Sequence, residues 1–95
     1  MKKRNIALSD SNGMGGELII LCTNTPTNRL KLLEEESQKL YANGEDVPIW
    51  ADILEAEGYM CDIVDSCGHI TPYCRSDDWQ KEYYPDVTEF YNIGA

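Results

Sequence analysis

Five apolar residues in succession, Leu18-Ile19-Ile20-Leu21-Cys22, form the longest such run in the chain. A strand with one wet face alternates polar and apolar positions. A continuous run instead predicts a strand over 17–23 that is covered on both faces and lies inside a sheet. Upstream, Ile6 and Leu8 share one face of a short stretch over 3–9, which reads as an edge strand. The intervening Asn12-Gly13-Met14-Gly15-Gly16 is turn chemistry.

The period then lengthens to that of a helix. Thr25 suits a cap, and Pro26 suits the first helical position, where its missing N–H costs nothing. Leu30, Leu33, Leu40 and Tyr41 fall on one face, interrupted by Ser37. Gly44 supplies a C-terminal stop. Pro48 opens a second helix, with Ile49, Trp50, Ile53 and Leu54 recurring at helical spacing and Gly58 closing it. Over 59–65 the alternation returns. Tyr59, Cys61 and Ile63 take one face of a strand, Met60 and Val64 the other.

Residues 66–75 read as a loop around Pro72. Ser76 then caps a short helix whose first turn carries Asp77 and Asp78, charges that suit the positive end of the helix dipole. Trp79 and Tyr83 are four apart on it, and Pro85 stops it. Residues 86–93 have strand-forming composition. The order strand, strand, helix, helix, strand, short helix, strand predicts a single α+β domain over 1–95. Its sheet has three to four strands, with two main helices packed on one face and a short third helix. Trp50 and Phe90 are expected in the core. Tyr83 and Tyr84 are adjacent on a helix, so at least one of them faces out.

Charge narrows the functional classes. The net charge is −9, unevenly placed. Residues 1–33 hold five basic and two acidic residues, net +3, while residues 34–95 hold three basic and fifteen acidic ones, net −12. Such a surface repels phosphates, which argues against direct nucleic-acid binding. It suits a protein partner with a basic surface. No apolar run approaches the ~18 residues of a membrane span. Met1-Lys2-Lys3-Arg4 imitates the start of a signal peptide, but the following Asn5 to Asp10 turn polar too soon for its apolar core. The expectation is a cytoplasmic protein without a membrane role.

Candidate chemistry concentrates in one window. Cys61, Cys67, Cys74 and the single histidine, His69, fall within it. Zinc sites want four ligands, commonly from paired C-x₂-C knuckles, and none is present. Cys67, His69 and Cys74 still share one loop, and they define the alternative reading: a zinc-stabilised module or a thiol-dependent enzyme. Cys67 and His69 are two apart and could form a thiolate–imidazolium pair. The rest of a catalytic constellation is not legible. The glycine loop lacks the Gly-Lys-Ser/Thr ending of a phosphate loop and precedes a strand. Asp10, Asn12 and Glu17 fall short of a calcium-binding loop.

The leading expectation is therefore a small acidic interaction or regulatory module with no cofactor and no catalytic residues. Its contact surface is expected at Asp77, Asp78, Trp79, Tyr83 and Tyr84, in a region that mixes carboxylates and rings. Exposed rings on so small a chain are also compatible with a homodimer.

Overall fold

The fold is taken from a computed structural model and is described for residues 2–11, 16–68 and 76–92, with side chains at 2–9, 18–66 and 80–92. Among the described residues, seven elements follow one another: β1 (Arg4–Ser11), β2 (Gly16–Thr23), α1 (Thr27–Ala42), α2 (Trp50–Ala56), β3 (Cys61–Gly68), α3 (Ser76–Tyr83) and β4 (Phe90–Asn92). The four strands make one mixed sheet in the order β3-β2-β1-β4. β1 and β2 are antiparallel, as are β2 and β3, and β4 lies parallel to β1. The α+β layering expected from the sequence is present.

The unbroken apolar run does what its pattern implies. In β2, Leu21 joins Ile6 and Leu8 on the face covered by α1 and α2, where Leu30, Leu33, Trp50, Leu54 and Tyr91 complete the main core. Leu18 and Ile20 point the other way and pack with Ala7 and Val87, flanked by Tyr84. Two-sided burial also reaches β1. The sequence placed that strand at an edge, but β4 pairs with its outer side and makes it internal. A parallel partner this far along the chain leaves no local signal.

Helix ends follow their glycines. Gly44 has φ +73° and Gly58 φ +96°. The Gly44 N–H donates to the Tyr41 carbonyl at 3.0 Å and the Glu45 N–H to that of Leu40 at 2.9 Å. Gly58 and Tyr59 repeat the pattern onto Glu55 (3.0 Å) and Leu54 (2.9 Å). Both are Schellman motifs, and Tyr59 adds the accompanying apolar contact against the main core.

Several details depart from the sequence reading. Thr25 is not a cap. It is buried, and its hydroxyl lies 2.7 Å from that of Thr23, while Pro26 takes the cap position. α2 begins at Trp50, leaving Ile49 exposed at its cap. Tyr41 is exposed, not part of the stripe. β3 begins later than expected and runs to Gly68, shortening the expected loop. Phe90 is 57% exposed, and Tyr91 is the core ring of β4. Tyr91 stands beside Leu8 in the register, so alternation turns Phe90 to the opposite face.

Candidate functional site

The residues proposed as a contact surface lie on α3 and its exit. Asp77, Asp78 and Trp79 occupy its first half, and their side chains fall outside the described set. Of the adjacent tyrosines, Tyr83 is 62% exposed. Tyr84 is half-buried against the second core, and its hydroxyl donates to Asp65 Oδ2 at 2.7 Å. That bond, more than burial, pushes the Tyr84 phenol above its usual range. It also fastens the end of α3 to β3.

β3 is where sequence reasoning missed a feature. It is an edge strand, and the helix cover stops at Cys61. Ile63 stands opposite Leu21 in the register yet is 62% exposed. Met60 and Val64 are 49% and 47% exposed. The register slips between Ile20, opposite Asp65, and Leu21, opposite Ile63, so Val64 is the extra residue of a β-bulge. Asp62 and Asp65 are exposed on the same strand. Neither of the described ion pairs, Arg4–Glu89 and Arg29–Glu57, reaches it. The alternation over 59–65 announced a strand. Nothing local says that a strand will be an edge, because edge position depends on which strands pair.

The cysteine–histidine window is only partly on view. Cys61 is a buried free thiol, with Sγ 3.3 Å from the Thr23 hydroxyl. It belongs to the main core. Cys67 lies in β3 opposite Leu18, and its side chain is outside the described set. His69 and Cys74 lie outside the described residues altogether. Among the described residues no group of three His, Cys, Asp or Glu side chains could hold a metal ion.

A polar cleft of about 360 Å³ is lined by Lys3, Arg4, Asn5, Cys22, Asp86, Thr88 and Glu89. Its principal charges are already engaged. Arg4 Nε donates to Glu89 Oε2, and Arg4 also reaches Glu89 Oε1 at 3.0 Å and the Thr25 carbonyl at 2.7 Å. Thr27 and Tyr91 hydroxyls donate to the same Oε1 at 2.9 and 2.8 Å. The Arg4 bond is the main reason Glu89 titrates at about 2. Burial, then Glu89, pushes Tyr91 up to about 12. This network binds β1, the start of α1 and β4 together; its chemistry is structural.

No helix among the described residues is long and apolar enough to cross a membrane. Compared with protein-family models, curated proteins and solved structures, the chain shows no significant match.

Proposed function

We propose that this protein is a non-catalytic interaction or regulatory module that engages a protein partner with a basic surface. The observation that carries the reading is the exposure of Met60, Ile63 and Val64 along β3 and its approach, alternating in sequence with the carboxylates Asp62 and Asp65. Ile63 and Val64 are adjacent and both exposed on an edge strand, a local apolar concentration of the kind that marks an interaction surface. The flanking acids and the net charge of −9 favour a cationic partner through steering and complementarity. Exposed Tyr83 is included in the surface because its neighbour Tyr84 bonds Asp65 of β3, and the acids Asp77 and Asp78 precede it on the same helix.

The test is affinity capture on the immobilised full chain, run beside the Asp62→Lys and Tyr83→Ala variants. The reading expects a retained protein that either variant releases and that elutes earlier as salt rises. Retained proteins indifferent to both variants would sink it.

A further inference from the structure

β3 offers more than exposed side chains. In an edge strand, alternate N–H and C=O groups turn away from the sheet and await a partner. Among the described residues, no strand pairs with the outer side of this eight-residue strand. Proteins usually guard such an edge with lysine, proline or a bulge. Cys61–Gly68 contains neither lysine nor proline. Its guards are the bulge at Val64 and the carboxylates Asp62 and Asp65. Carboxylates are selective guards. They repel a second copy of a chain carrying −9, and they attract a cationic strand.

Resting on the interaction reading above, we propose that the outer edge of β3 is the docking site for an extended segment of a partner protein. That segment alternates apolar residues with lysine or arginine, and adds to the sheet as a fifth strand. Main-chain hydrogen bonds supply the pairing. The apolar positions cover Ile63 and Val64, and the basic positions meet Asp62 and Asp65. Asp65 already accepts from Tyr84, so Asp62 is the carboxylate with more capacity to spare.

The probe is a synthetic ten-residue peptide alternating valine and lysine, added to the full chain. Amide hydrogen exchange is read by NMR. Two controls share its length: a valine–glutamate peptide, and the valine–lysine peptide N-methylated at alternate residues. The methylated control keeps every charge but loses the donors that a strand needs. The proposal expects slowed exchange at alternate amides of β3, from the valine–lysine peptide alone. Asp62→Lys is expected to weaken binding about fivefold at low salt. Equal binding of the methylated peptide would overturn strand addition, leaving charge attraction only. Binding that protects α3 and spares β3 would overturn it too, while preserving the interaction reading. Concentration-dependent protection of β3 without peptide would overturn it in favour of self-pairing.

Discussion

The Trp50 indole N–H donates to the Ser37 hydroxyl at 2.8 Å, with both side chains buried between α1 and α2. Ser37 is the residue that interrupts the apolar stripe of α1. The interruption is an acceptor: a buried indole N–H without one would carry its full desolvation cost. The same ring lies 6.1 Å from that of Tyr91 at a 55° tilt, an arrangement favourable to the ring quadrupoles.

Removing the acceptor is therefore expected to cost more than one methyl-sized change suggests. Ser37→Ala should destabilise by about 1–3 kcal/mol, because it strands the indole N–H. Trp50→Phe should lose less on the polar side but leave a gap. In a double-mutant cycle by urea unfolding the two changes should couple, and strict additivity would show that the bond contributes nothing.

Acid stability should depend on Glu89. Its folded value of about 2 lies below the ordinary 4.5, chiefly through the Arg4 hydrogen bond. A depressed carboxyl contributes stability that is full above about 4.5 and lost as pH falls through about 2. Glu89→Gln should cost about 1–2 kcal/mol at neutral pH and flatten the acid limb of a melting-temperature profile. An unchanged acid limb would contradict the assignment.

Alkaline stability should depend on Tyr91, with the sign reversed. Its phenol ionises at about 12 in the fold, against 10.0 ordinarily, first because it is buried and then because it faces Glu89. The unfolded chain ionises earlier, so stability should fall as pH rises from about 10 to about 12. Tyr91→Phe should remove that part of the decline, measured by urea unfolding at a series of alkaline pH values.

The helix stops should resist replacement for a conformational reason. A Cβ added at Gly44 or Gly58 meets nothing within 4 Å, so the cost is not a clash. It comes from the positive φ alone. Gly58→Ala and Gly44→Ala should each destabilise by about 1 kcal/mol. The measurement is thermal unfolding by circular dichroism, and a neutral or stabilising result at either site would refute this.

Local chemistry made most elements legible. The apolar run of β2 announced two-sided cover, and Gly44 and Gly58 announced their helix stops. What depended on distant pairing did not show. β1 read as an edge because its parallel neighbour β4 lies far along the chain. Phe90 read as core because ring size outweighed parity in a three-residue strand. Thr25 read as a cap because its bond to Thr23 requires the β2 turn to exist first. Of the contact surface, composition indicated α3, whereas the exposure of Ile63 and Val64 required knowing where the helices end. His69 and Cys74 lie outside the described residues.

The parallel β1–β4 pair imposes an order on how the molecule can be assembled. Arg4 and Glu89, joined across that pair, are 85 positions apart. During synthesis, β1 emerges well before β4 and must wait for it before its outer side is closed. At ~5–20 residues per second that wait lasts several seconds. Throughout it, the nascent sheet has two open margins where the finished one leaves β3 as its long one. The interval before Glu89 arrives is when the chain is most open to misassociation. A ribosome-bound chain arrested before residue 89 should therefore recruit holding chaperones that the completed chain does not.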